Sequence, residues 1–337
     1  MKYFFTLLLS IVLFGSHAQI KVVGYLPTYR WEKLEQLDFD HLSHVCAAFA
    51  NPDESGNLIF EKNLKKFAKV LHENNTKAIV SICGGGHYSW GEKYKVYEKL
   101  LETPKSRTDF IEKVVKFVKK NDLDGLDNDM EGKALVLKNY NVLSQELADS
   151  LHANDLEYSA ALYVGGTWGV DNLTPETMQK HDYIMTMSYG GVGNWNWRQK
   201  PDDSNYAKYQ KDVNHLITKG YDQTKTIGGL PFYYVEFPQT QQANYSKFSG
   251  MMCDLYDNYE DQKPLEKDTL YSPEGNPIYL NSLATYYKKI DLAIENNSGF
   301  MIWELGQDCF SGDMSIMKHL AAYMDKKKVI IEKRTEE

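Results

Sequence analysis

Four acids fall close together in the stretch DGLDNDMEG, Asp124 to Gly132: Asp124, Asp127, Asp129 and Glu131. The flanks read as a short strand, and a strand sends alternate side chains to the same face. Asp127, Asp129 and Glu131 then project together, while Leu126, Asn128 and Met130 point the other way. Carboxylates so close do not all ionise, so at least one proton stays on this ladder near neutral pH. A carboxylic acid kept protonated is what cleavage of a glycosidic bond requires, because the leaving oxygen must receive a proton.

Three other readings compete. The run D-N-D-M-E-G imitates the first six positions of a calcium-binding helix-loop-helix loop, but the twelfth position is Lys138 and the bidentate Glu is missing. A divalent metal on the three acids would want a nearby His, and none follows. A solvated acidic turn is the commonest fate of such a run, but the strand-like flanks and the inward period argue against it.

The elements that would hold the ladder are short apolar strands alternating with helices. Strands are predicted at Val22–Tyr25, His44–Phe49, Ala78–Ile82, Gly125–Asp129, Tyr158–Leu162, Tyr183–Ser188, Thr226–Phe232 and Gly299–Trp303. Between them, Val136, Tyr140, Leu143, Leu147 and Leu151 form one apolar stripe at helical spacing, and Phe110, Val114 and Phe117 form another behind the start signals Pro104 and Ser106. Eight strands alternating with helices predict an α/β fold, a single-domain (β/α)8 TIM barrel, with the active site in the loops after the strands. An open doubly wound sheet would announce itself by a Gly-rich turn after the first strand, and here that turn is LPTYRW. The Gly clusters at 84–86 and 190–193 lack the Lys-Ser/Thr of a phosphate loop.

The 337 residues are 42% hydrophobic and 25% charged, which suits a chain with a large core. A lysine, an apolar run from Tyr3 to Phe14 and the small residues Ser16 and Ala18 read as a secretory signal cut after Ala18, leaving a catalytic domain over 19–330. The product is expected to be secreted or periplasmic, soluble, monomeric and free of the membrane. Losing one lysine with the signal leaves 37 basic against 46 acidic side chains, a balance that repels nucleic acid, and Lys326–Lys328 read as a solvated helix face. The four cysteines, Cys46, Cys83, Cys253 and Cys309, show no zinc spacing. Cys46 and Cys83 lie inside predicted strands as buried free thiols, and no disulfide pairing can be read.

DGLDNDME also resembles, in full, the D-G-x-D-x-D-x-E signature of glycoside hydrolase family 18, the chitinases and their relatives. The likeness extends to GYLP on the first strand, AFA on the second, SICGG on the third, MSY on the sixth, GLPFY on the seventh and MIWELGQD on the eighth. The resemblance implies a retaining mechanism in which the substrate's 2-acetamido oxygen attacks the anomeric carbon and one protein acid suffices. By family role Glu131 is the general acid and base, Asp129 holds the acetamide, Asp127 is its buried proton-sharing partner, and Tyr189 donates to the acetamide oxygen. Trp303 forms the floor beneath the sugar, with Tyr25, Phe49, Met187, Gly84, Gly85 and Trp90 as further binding positions. Asp124 is read as structural. The sixth-strand motif of the family continues with Asp, whereas Gly190 stands here, which predicts altered pH behaviour.

All six tryptophans fall at or after predicted strand ends: Trp31, Trp90, Trp168, Trp195, Trp197 and Trp303. As a set they suggest flat walls for sugar faces, although Trp is also a common core cap. About 45 residues separate the seventh strand from the last barrel helix, with a small helix over Tyr245–Leu255 and a hairpin at SPEGNP. This length predicts an open groove with no large insertion domain. Four sequons stand at Asn74, Asn172, Asn244 and Asn296. The expected activity is cleavage of β-1,4-linked N-acetylglucosamine polymers, chitin or chitooligosaccharides, endo-acting and without metal or organic cofactor. The alternatives are an endo-β-N-acetylglucosaminidase acting on the N-glycan core and a non-hydrolytic chitin-binding lectin.

Overall fold

Runs such as KVVGYLP and KAIVSIC are apolar on both faces, the pattern of strands buried between a barrel lumen and a helix layer. In the computed structural model, which describes residues 19–84, 86–166, 168–189, 204–237, 249–310 and 312–335, these runs form β1 (Gln19–Pro27), β2 (His44–Pro52), β3 (Lys77–Cys83) and β4 (Gly125–Asp129). They continue as β5 (Glu157–Leu162), β6 (Tyr183–Thr186), β7 (Thr226–Pro231) and β8 (Gly299–Trp303). Each strand pairs in parallel with the next, and β8 returns to β1 through Lys21↔Gly299 to Gly24↔Ile302, so the sheet closes. All eight predicted strands are present, with β1 longer and β6 shorter than expected.

Two apolar layers follow from the alternation. Val23, Tyr25, Cys46, Ile79, Met185, Ile227 and Met301 fill the lumen. Leu126, Met130, Tyr158, Ile302 and their neighbours face the helices. The helix Pro104–Lys120 starts on a capping box made by Thr103 and Ser106 with proline at its first position. The predicted stripe from Val136 to Leu151 needs correction: the helix begins at Tyr140, and Val136 lies just before it, 42% exposed. A short helix, Gly132–Leu135, instead fills the turn after the acidic strand. No helix among the described residues is long and apolar enough to cross a membrane.

Between β7 and β8 the chain builds a small antiparallel sheet from Tyr233–Glu236, Ser249–Met251, Thr269–Tyr271 and Pro277–Tyr279, with the helix Met252–Tyr259. The hairpin falls where SPEGNP predicts it, but the helix starts later than expected, and two more strands turn the two elements into one α+β module. Cys253 and Cys309 form a disulfide that ties this module to the loop after β8, whereas Cys46 and Cys83 are buried and free. Packing also runs past residue 330: Ile330–Ile331 pair with the start of β1, and Arg334 Nε reaches Asp124 at 3.0 Å. The expected signal over residues 1–18, Gly85, Gly190, Trp195, Trp197 and the Asn244 sequon lie outside the described residues.

Candidate active site

The acidic ladder is built as the strand period demands. Asp127 and Asp129 face the lumen from β4, and Glu131, two residues on, keeps an extended backbone (φ −118°, ψ 169°), so its side chain continues on the same side. Their exposures are 0%, 3% and 7%, which puts three carboxyl groups in a nearly dry environment. Asn128 turns outward and donates to the Tyr158 hydroxyl at 2.8 Å. Asp124 lies at the other end of the strand, where it accepts from the Ala78 amide at 2.7 Å and meets His72 at 2.8 Å, a structural position.

Neighbouring strands decide how each acid is treated. The register sets Ser81, Asp127 and Ser159 side by side on β3, β4 and β5. Asp127 accepts from the Ser81 hydroxyl at 2.6 Å, the Tyr25 phenol at 2.7 Å and the Ser159 hydroxyl at 2.9 Å. Burial pushes its pKa up, and those three donors pull it back. The expected proton-sharing contact with Asp129 is not among the hydrogen bonds of the described residues, and the Asp127 oxygens accept from hydroxyls instead. Asp129 has no such support: its Oδ1 is buried without a hydrogen-bond partner among the described residues. Burial, then the charges of Glu131 and Asp127, hold its pKa well above the usual carboxylate range. The innermost acid is therefore held by neutral donors, and the middle one is pressed to keep a proton.

Above the ladder opens a cavity of about 300 Å³ lined by Tyr25, Phe49, Trp90, Asp129, Glu131, Tyr163, Met187, Tyr189, Tyr233 and Trp303, with Gly86 and Ala161. The predicted Tyr25, Phe49, Trp90, Asp129, Glu131, Met187, Tyr189 and Trp303 thus meet at one place, the C-terminal mouth of the barrel. Asp127 sits one layer below. Trp303 lies against Phe49 (ring centroids 5.8 Å apart, planes 21° apart) and Tyr25 (5.5 Å). Phe49 is the extra residue of a β-bulge, since Ala48 pairs with Ser81 and Ala50 with Ile82. Such a bulge re-aims a side chain, here toward the cavity. Tyr189 is buried, its hydroxyl 3.4 Å from the Met301 sulfur, and burial followed by the charge of Asp129 raises its pKa.

Gly84 does not line the cavity. It leaves room beneath the Phe49 ring, since a Cβ built on it would stand 2.1 Å from that ring. Among the tryptophans, Trp31 packs on Phe67 at 5.2 Å as a core cap, while Trp90 and Trp168 meet at 5.5 Å with both indoles partly exposed. Sequence reasoning missed Tyr163 and Tyr233. Both had a signal in their position, since Tyr163 directly follows β5 and Tyr233 ends the GLPFY motif of the seventh strand, at the start of the module sheet. One group among the described residues could hold a metal: His44, Glu157 and Glu332. Lys77 pairs with Glu157, and Lys21 pairs with Glu332 at 2.6 Å, so lysines already supply the positive charge there.

The family model for glycosyl hydrolases family 18 matches residues 21–308. A solved structure of the GH18 chitinase ChiB from the chitin utilization locus of Flavobacterium johnsoniae superposes with a TM-score of 0.83 at 26% identity, covering 95% of this chain and 100% of that one. Among curated relatives, a chitinase-like effector of Moniliophthora roreri is 26% identical over 73% of this chain and 65% of its own length. The probable chitinase 10 of Drosophila melanogaster is 23% identical over 64% of this chain and 11% of its own. The chain therefore spans less than two thirds of either curated relative.

Proposed function

The chain belongs to glycosyl hydrolase family 18, and from that premise we propose that it is a retaining glycosidase cleaving β-1,4 bonds beside N-acetylglucosamine in chitin or chitooligosaccharides. The observation that carries this reading is the pairing of two dry carboxyl groups, Asp129 and Glu131, on one wall of a cavity whose other walls are aromatic. Two acids so placed feel each other's charge, and a positive charge developing on a bound sugar is stabilised by whichever is ionised.

Burial and the charges of Glu131 and Asp127 press Asp129 to hold a proton. A substrate acetamido N–H donating to Asp129 favours its anion, which leaves the proton on Glu131 to be handed to the glycosidic oxygen. The acetamido oxygen attacks the anomeric carbon as that bond breaks, with the Tyr189 phenol supporting the acetamide. Glu131 then takes a proton from water, which opens the cyclic intermediate with overall retention. Trp303 and Phe49 offer the apolar surface under the ring. In the same reading the chain is exported and cut after Ala18, and amino-terminal sequencing of protein recovered outside the cytoplasm checks this by starting at Gln19.

The test is incubation with chitotetraose and, separately, with an intact N-glycoprotein, sizing the products and following their anomeric form by proton NMR. Chitobiose and shorter oligomers appearing first as the β-anomer are expected. Release from the glycoprotein alone would replace this assignment with the N-glycan one, and binding of chitotetraose without cleavage between pH 4 and pH 9 would replace it with a lectin.

A further inference from the structure

The loop after β3 grips residue 131 at both ends. The Glu131 amide donates to the Ser89 hydroxyl at 3.1 Å, and that hydroxyl lies 3.2 Å from the buried Cys83 sulfur. The Trp90 indole N–H donates to Glu131 Oε2 at 3.2 Å. The next residue is Gly132, at φ +51°, where a Cβ would come within 2.5 Å of the Trp90 ring. An indole seated over a residue that must be glycine, beside the acid it touches, is a built contact.

We propose that Trp90 is a positioning residue for Glu131: its indole N–H holds one carboxyl oxygen in place and moderates the readiness of the acid to keep its proton. This deepens the role of Trp90 beyond a sugar-stacking wall and rests on the assignment of Glu131 as proton donor. The groups facing Glu131 explain why such a donor matters. Asp129 stands on the same strand edge, the Cys83 thiol follows on β3, Tyr189 comes from the loop after β6, and Tyr25, Tyr163 and Tyr233 ring the cavity. Among the described residues none of these side chains is a cation, and Asp127 below adds a further carboxylate. Burial and neighbouring carboxyl groups both favour the neutral form of an acid. A neutral N–H aimed at the carboxylate favours the ionised form and works in the opposite direction.

The experiment measures the acid directly. In protein carrying carboxyl-labelled glutamate, the Glu131 signal is assigned by its loss in E131Q and titrated in wild type and in W90F, which keeps a flat apolar ring and removes the N–H. The Glu131 midpoint is expected to rise by about 0.5–1 pH unit in W90F, less than a full charged hydrogen bond would give because the indole is partly exposed. The alkaline limb of kcat/KM should move up by the same amount, with KM for chitotetraose within about threefold of wild type. In wild type alone, the Trp90 indole proton should shift with the Glu131 midpoint, and this transition should vanish in E131Q. A Glu131 midpoint unchanged in W90F, or an indole proton indifferent to it, overturns the proposal. If wild type fails to hydrolyse chitotetraose, the assigned function falls while the titrations still decide the coupling.

Discussion

Replacing Gly84 by alanine perturbs the substrate platform from beneath: its amide donates to the Asp129 carbonyl at 2.9 Å, and an added methyl would meet the Phe49 ring. Gly84 has φ +44°, and a Cβ there stands 2.1 to 2.4 Å from three atoms of the Phe49 ring. Carbon atoms rest about 3.5–4.0 Å apart, so the ring must retreat by roughly 1.4 Å. Trp303 lies against Phe49 and resists that retreat. Left-handed backbone costs an alanine about 1–2 kcal/mol and overpacking about 1–3 kcal/mol, a total of about 2–5 kcal/mol. At roughly 2 °C per kcal/mol for a chain of this size, G84A should melt about 4–10 °C below wild type. Because Phe49 and Trp303 move together, KM for chitotetraose should rise about fivefold, corresponding to about 1 kcal/mol of lost binding. Calorimetry and steady-state kinetics read both effects, and F49A supplies the second edge of a double-mutant cycle. Removing the ring removes the clash, so G84A in the F49A background should cost about 1–3 kcal/mol less than in wild type. A G84A melting point within about 1 °C of wild type, or strictly additive mutations, would refute the claim that Gly84 exists to make room for Phe49.

Other residues give sharper chemical tests. E131Q keeps the shape of a side chain only 7% exposed and removes its proton, so turnover should fall about 10²–10⁴-fold while oligosaccharide binding by calorimetry persists. At the opposite end of the barrel, burial pushes the Glu157 pKa up, but His44 and Lys77 overcome this and hold it at about 2, against 4.5 for the free group. A depressed folded pKa stabilises above the unfolded value and is lost as pH falls, so the wild-type advantage over E157Q should be about 3 kcal/mol at pH 6 and narrow by roughly half at pH 3 in urea unfolding. Reducing the Cys253–Cys309 disulfide, which closes a loop with a sequence separation of 56, should lower stability by about 2–4 kcal/mol, and an unchanged urea midpoint after reduction would contradict this.

The barrel and its acidic ladder were legible because both are written in local periods. Alternation placed Asp127, Asp129 and Glu131 on one face, and strands alternating with helical stripes implied closure. The helix expected from Val136 was misjudged because residues 132–139 carry helical spacing but are spent on a short helix and a turn. The module between β7 and β8 was read as a helix and a hairpin, since the pairing that makes it a four-stranded sheet joins residues distant in sequence.

Residue type and spacing determined which groups could do chemistry, because backbone geometry alone carries a side chain to one face of a strand. Only the closed barrel decided how those groups differ. The register of β3, β4 and β5 gives Asp127 the hydroxyls of Ser81 and Ser159, closure adds that of Tyr25 from β1, and an oxygen of Asp129 is left without a donor among the described residues. The loop after β3 brings an indole to Glu131 across 41 residues of chain. A proton's preference depends on burial and on neighbours in space, and neither quantity is local in sequence.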